Sequence, residues 1–459
     1  MTLHAWRLPP GLDPLLAGAK RRATRRRVLV VAALLVLGGG AATVSLHPAG
    51  LLRTGAPRVE AYEPGGMFTG TGGPAPDVDT RTAGVSTISV AAGGDAWALG
   101  SVAWRWDGRT WQRVPLPRVG NAELWAVAAR TPDEAWAVGA RGPGYLAASH
   151  ALIERWDGSR WSVVQLPRLP TSFLFGVSAA GAHNAWAVGG TFGANHAGRF
   201  VSSKTRPLLL RWDGRAWRRQ SVPWARRGVV LDKVVSTGPS DVWVISSGQQ
   251  DSSPSGPVVV EHWNGSRWQA VPAPFGQSDP FAGFTATAWN DAWAVGSYGQ
   301  GGNRVAKFSH SLAAHWNGRS WRLTHVPMPA GGSNSAALVD VAAARPDDVW
   351  ALGQSQRLEL QGNNGLSGTG PATFFLHWSG QRWQIAPGAT PPIYDGRPAI
   401  VAARDGSAWT VGYCRTDDYV ARWDGRAWVT TPHPADVHWR AGPPARLRHG
   451  PPPTCSVQH

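Results

Sequence analysis

The sequence predicts an all-β fold: a seven-bladed β-propeller of four-stranded antiparallel blades, preceded by one N-terminal transmembrane helix. Three observations carry that prediction. A Trp-centred pattern returns seven times at intervals of 45–62 residues, the range in which propeller blades fall. The 459 residues include 56 Gly and 37 Pro, a load that suits many short strands and turns over long helices. Hydrophobic residues make up 43% of the chain and charged ones 16%, enough apolar surface to exclude global disorder.

Five segments follow in order. Residues 1–27 form a basic cytoplasmic tail with seven basic side chains against Asp13 alone. It supplies +6 of the formal +16, leaving +10 for the rest. Residues 28–46 are uncharged and almost wholly apolar. As a helix they rise about 28 Å, close to the hydrocarbon thickness of a bilayer. The run from Lys20 to Arg27 directly before them stays inside by the positive-inside rule, so the remainder is exported. The span reads as a signal anchor. The alternative is a cleaved export signal with small residues at Gly40-Ala41-Ala42, which releases a secreted protein. Residues 47–85 are a Gly/Pro-rich linker, without helix or strand periodicity.

Residues 86–432 hold the repeat. Its first part is a box that reads Trp136-Ala137-Val138-Gly139 in the second unit, with box tryptophans at 97, 136, 186, 243, 293, 350 and 409. Its second part is W-[DNS]-G-x-x-W, with Trp pairs at 106/111, 156/161, 212/217, 263/268, 316/321, 378/383 and 423/428. These positions absorb 21 of the 27 Trp. In the second unit strands A to D are expected over Leu124–Ala129, Ala135–Gly139, Leu152–Trp156 and Trp161–Leu166. The Asp-Gly or Asn-Gly between C and D reads as the two central residues of a type I′ hairpin. Stacked blades would bury the indoles between them. The last segment, residues 433–459, is a Pro/Arg-rich tail carrying Cys455. In an exported protein Cys455 and Cys414 suggest a disulfide pinning the tail to the last blade, with two free thiols as the alternative.

A box such as Trp-Ala-Val-Gly followed by Trp-Asp-Gly-x-x-Trp resembles the repeats of kelch/galactose-oxidase-type and Asp-box (BNR) propellers. The kelch Gly pair is matched only at Gly189-Gly190, and the Asp-box has one more residue between its Asp and Trp. The resemblance implies a propeller and carries no function with it.

Loop lengths locate the working face. Box Trp to hairpin Trp spans 9 to 28 residues, whereas the last Trp of one unit to the next box Trp spans 25 to 29. Insertions therefore fall between strands B and C, on the face shared with the D–A connections, where binding residues of a rigid scaffold usually sit. The candidate binding residues there are Tyr145, Phe192, Arg199, Tyr298, Lys307 and Arg357. Basic and aromatic side chains with few opposing acids suit an anionic cell-wall glycan or an extracytoplasmic protein. Bland solvated loops are the alternative.

The residue before each hairpin Trp is Arg105, Arg155, Arg211, His262, His315, His377 or Arg422. One per blade is too widely spread for a metal site. The acids recurring at Asp95, Glu134, Asp241, Asp291 and Asp348 point instead to cross-strand ion pairs or hydrogen bonds.

Catalytic signatures are thin. Walker, H-E-x-x-H and G-x-S-x-G motifs are absent. Tyr413 and Cys414 are adjacent on a strand and point apart, so they do not form a Tyr–Cys radical pair. No cofactor and no metal is expected. Nearly all basic residues are Arg in an Ala/Gly/Pro-rich chain, a compositional bias that makes the high pI a poor argument for nucleic acid, and export removes that partner. The functional expectation is a membrane-anchored extracellular binding or scaffolding module. The alternative is an exported glycan-active hydrolase or lyase with its site on the long-loop face.

Overall fold

The computed structural model divides the chain into two compact units, Met1–Glu63 and Pro64–His459. It describes residues 85–431 of the second, apart from 143–148, 195–199, 224–228, 247–257, 276–280, 301–307, 330–333, 362–364, 369–371, 388–394 and 415–416. The expected transmembrane segment, the linker to residue 84 and the C-terminal tail lie outside the described residues; among those described, no helix is long and apolar enough to cross a membrane.

Seven four-stranded antiparallel meanders make up the described body, each from one contiguous repeat unit. Blade two, for example, is Ala122–Thr131 (A), Glu134–Arg141 (B), His150–Trp156 (C) and Trp161–Val163 (D). Strand D is three residues shorter than the sequence suggested. Val164 N–H still bonds Ile153 O at 2.9 Å, but Pro167, which has no N–H, lies in the segment that then leaves the sheet. Blade six carries an extra hairpin, Leu358–Gln361 with Gly365–Gly368, between its strands B and C. The A strands of successive blades touch one another in a closed circuit, blade seven against blade one, which places them innermost.

The seams explain the tryptophans. Each box Trp is at most 1% exposed. Trp97 of blade one sits 4.8 and 4.9 Å from Trp156 and Trp161 of blade two. The same wedge recurs at Trp136, Trp186, Trp293 and Trp350 against the hairpin pair of the following blade. Trp243 clusters with Trp316 and Trp321 around Phe284. Ring closure uses the same device: Trp409 of blade seven lies 5.5 and 5.8 Å from Trp106 and Trp111 of blade one. Trp111 Nε1–H also donates to Thr431 Oγ1 at 3.3 Å. Packing of two complete faces closes the wheel, and no strand is shared between the first and last blades. Each edge-to-face pair adds about 0.5–1.5 kcal/mol beyond area burial.

The cationic row is structural, as the sequence suggested. Arg105–Asp95 (2.7 Å), Arg155–Glu134 (3.8 Å), His262–Asp241 (2.7 Å), His315–Asp291 (2.6 Å) and His377–Asp348 (3.0 Å) pair within their own blades. Blade seven uses Asp405 (3.9 Å). Blade three has Asn184 in the acid's place, and its Oδ1 accepts Trp186 Nε1–H at 3.1 Å. The same cations cover the box indoles: Arg155, Arg211 and Arg422 lie 5.1–5.2 Å from the ring centroids, and the three His rings lie 4.4–4.5 Å away. Burial raises the Asp291 carboxyl, but hydrogen bonds from His315 and Thr287 outweigh it and hold the group below its usual range.

The C–D hairpin differs from expectation. The paired residues Trp156 and Trp161 enclose Asp157 to Arg160, and Asp157 N–H bonds Arg160 O at 3.3 Å. Gly158-Ser159 is therefore the two-residue loop, with Gly158 first at φ +93°, and Asp157 flanks it. Asp157 recurs for its oxygen: Oδ1 accepts the N–H groups of Ser159 and Arg160 at 2.9 Å, an Asx turn. Asp107, Asp213, Asn264, Asn317 and Asp424 do the same. Hydrogen bonds from the Ser159 hydroxyl and from these N–H groups hold Asp157 down at about 2.

Candidate functional site

The A–B and C–D turns, and the tryptophan seams beside them, occupy one face of the wheel; the B–C and D–A connections open on the other. Near this second face each A strand meets the end of its box. In blades one, two, three, five and six the ladder there is interrupted by a bulge. The bulge presses the two backbones together, which accounts for the box glycine: a Cβ at Gly139 would lie 1.8 Å from Glu123 O. It also re-aims one side chain of the innermost strand at the channel mouth, as bulges commonly do next to binding sites.

In blades two and three those bulge residues are Trp125 and Phe175. Their rings stack at 5.2 Å with 17° between planes. Phe173 lies 5.7 Å from Trp125, and Phe192, leaving the box strand of blade three, packs edge-on against Phe173 at 4.9 Å. Trp125, Phe175 and Phe192 are all half-buried, so three aromatic rings, backed by the buried Phe173, form a ledge on one arc of the mouth.

Next along the ring, the residues just inside the bulge position are Lys233 of blade four and Asp340 of blade six, bonded Nζ to Oδ1 at 2.9 Å. The lysine reaches across blade five because that blade has Gly283 there, where a Cβ would come within 2.8 Å of Asp340 Cα. Asp340 Oδ2 also accepts Ile400 N–H from blade seven at 3.1 Å. The pair thus ties three blades together and keeps the lysine side chain, 33% exposed, at the channel.

Of the residues proposed from sequence, Phe192 joins the ledge. Tyr298 lies two blades away in blade five, 5.1 Å from His310, and Arg357 is exposed in blade six. Tyr145, Arg199, Lys307 and Cys455 lie outside the described residues, as does the side chain of Cys414, which ends strand B of blade seven. Trp125, Phe175, Lys233 and Asp340 were not singled out from sequence. A signal for one of them was available. Removing the 21 repeat tryptophans leaves Trp6, Trp104, Trp125, Trp224, Trp289 and Trp439. Among the described residues of that remainder, Trp104 is seam core and Trp289 is 58% exposed on a turn. Trp125 alone of those three stands at the mouth.

Chemically, an aromatic ledge beside an ammonium–carboxylate pair can stack a flat or ring-shaped ligand and hydrogen-bond its periphery. Among the described residues no three His, Cys, Asp or Glu side chains converge as metal ligands.

No protein-family model matches the chain, and neither does any curated protein. Solved propellers resemble it at low identity. The chain is similar to YCF48 bound to D1 peptide at 18% identity over 73% of this chain and 94% of that one, with a TM-score of 0.43. A GH74 xyloglucanase from Xanthomonas campestris aligns at 16% identity over 76% of this chain and 54% of its own length, TM-score 0.47. The fucose-specific lectin from Aleuria aurantia aligns at 9% over 77% and 95%, TM-score 0.35. These values are too low to carry a substrate or a partner across.

Proposed function

We propose that this protein is an extracytoplasmic, membrane-anchored binding module that holds a polysaccharide of the cell envelope at the mouth of its propeller. The supporting observation is the stacked Trp125–Phe175 ledge beside the Lys233–Asp340 pair. A pyranose ring offers an apolar face of C–H groups to an aromatic plane and a rim of hydroxyls to charged partners. The net charge of +10 outside the N-terminal tail favours an acidic sugar over a neutral one. Anchoring rests on the sequence, on the uncharged run 28–46 behind a block of Lys and Arg, by the positive-inside rule.

The test is affinity gel electrophoresis of the full-length protein in mild detergent, through gels cast with neutral or uronic-acid polysaccharides. Retardation should be strongest in the acidic gels and fall at least about tenfold in dissociation constant for Trp125→Ala, the cost of one lost stacking contact. Equal mobility in every gel, or unchanged retardation of Trp125→Ala, would refute the reading. Shortened polysaccharide after incubation would move it to a glycan-active enzyme.

A further inference from the structure

Away from the channel, blade two contains a second hollow of about 520 Å³. Its origin lies in the early end of strand D. Beyond Val163 the chain leaves the sheet, so the outer edge of strand C at His150, Ala151 and Leu152 is left without a D strand. The Ser172 hydroxyl returns to this edge and accepts Ala151 N–H at 3.3 Å. The floor is apolar, formed by Leu152, Val164, Leu166 and Leu169 among others, and the volume falls within the roughly 300–1,000 Å³ typical of small-molecule sites.

The rim is basic. Arg141 and His150 are direct cross-strand partners, and Arg168 faces them from the D–A connection. Directly opposed residues of an antiparallel pair have Cβ atoms about 5 Å apart, so a guanidinium and an imidazole stand side by side there. No carboxylate occurs among the lining residues, and none of the three makes an ion pair among the described residues. This differs from the cationic row of the same blade, where Arg155 has its acid and its indole. Two guanidiniums and an imidazole over an apolar hollow suit an anion carried on an apolar body.

We infer that this hollow binds a small organic anion, a carboxylate or phosphate monoester carrying an aromatic or short aliphatic group. The anion bridges Arg141 and His150, Arg168 closes over it, and the apolar group fills the floor. The site is independent of the polysaccharide reading, since none of its lining residues belongs to the channel mouth.

Isothermal titration of the full-length protein with 4-phenylbutyrate, phenyl phosphate, 4-phenylbutanol and inorganic phosphate tests it. The two aromatic anions should bind, with the carboxylate and the phosphate ester ranked by their heats. The alcohol and inorganic phosphate should each bind at least about tenfold more weakly, because each lacks one of the two recognised features. The double variant Arg141→Ala/Arg168→Ala should weaken the aromatic anions by about ten- to a hundredfold. Both side chains are exposed, so unchanged thermal unfolding shows that the variant is folded. Should it not fold, Arg141→Gln alone carries the test with a loss of several-fold. Equal binding of phenylbutanol and phenylbutyrate, no heat from either anion, or full affinity in the folded variants would each overturn the inference.

Discussion

The two faces of the wheel are built from the same strands and differ in how strictly they repeat. On the turn side, every seam buries a box indole among the hairpin indoles of the next blade, with Phe284 joining them in the fourth, and in most blades its own blade's cation or imidazole covers it. On the loop side, the corresponding bulge position holds Ser86, Trp125, Phe175, Ala282 or Val339 according to the blade. Seam geometry is the same at each of seven interfaces, so packing selects one residue type at each position. A mouth sees one ligand, whose parts meet different blades, so nothing there has reason to repeat. Regularity on this chain marks the packed seams; on the proposed reading, irregularity at the mouth marks recognition.

The sharpest way to break that comparison is to remove one indole from each side. Trp136→Ala deletes a side chain buried against Trp212 and Trp217 and should cost about 3–5 kcal/mol, visible as a large drop in the urea midpoint. Trp125→Ala, at a half-buried bulge, should cost no more than about 1 kcal/mol on the same assay.

A second test uses a seam that departs from the pattern. Two residues before the hairpin Trp, blades three and six carry Leu210 and Leu376, whereas blade two carries Glu154 and blade four Glu261. Glu154 is 1% exposed, and burial lifts its carboxyl from 4.5 to about 7; burial moves Glu261 the same way. Between pH 4.5 and 7 the folded protein keeps a proton that the unfolded chain has released. Stability contributed by that proton is full below pH 4.5, falls as pH climbs through the window, and stays reduced above it. For Glu154 the span is on the order of 3 kcal/mol. Glu154→Leu should flatten the dependence and raise the urea midpoint at pH 8 more than at pH 5. A wild-type midpoint that rises from pH 5 to pH 8 would contradict this.

The smallest effect belongs to the hairpins. Asp157→Ala removes the oxygen that caps Ser159 and Arg160 and should lower the melting temperature slightly. Asp157→Asn should leave it unchanged, because Asn264 and Asn317 already do the same in blades four and five.

The seams were legible in the sequence because a packed indole leaves an invariant letter: blade number, strand order and the pairing of Arg105 or His262 with a nearby acid all follow from spacing. The Asp-Gly dipeptide marks Gly158 as a turn residue but suggests a loop that includes Asp157, whereas Asp157 flanks the loop and caps it with its side-chain oxygen. The mouth was largely illegible. Trp125 and Phe175 are brought together by bulges opposite the box glycines, and a one-residue bulge leaves no mark in the spacing. Lys233 and Asp340 are 107 residues apart, and only ring closure makes them neighbours. Long loops drew attention to Tyr298 and Arg357, yet the rings that stack come from the innermost strands.

The division between a seam side that stabilises and a mouth side that recognises is tested most directly by measuring both properties on the same preparations. Calorimetric melting and retention on an acidic-polysaccharide gel would be recorded for wild type and Trp125→Ala. The account predicts a melting temperature within a few degrees of wild type, as for a loss of about 1 kcal/mol in a large domain, together with lost retention. A large fall in melting temperature with retention intact would place Trp125 among the seam residues and contradict it.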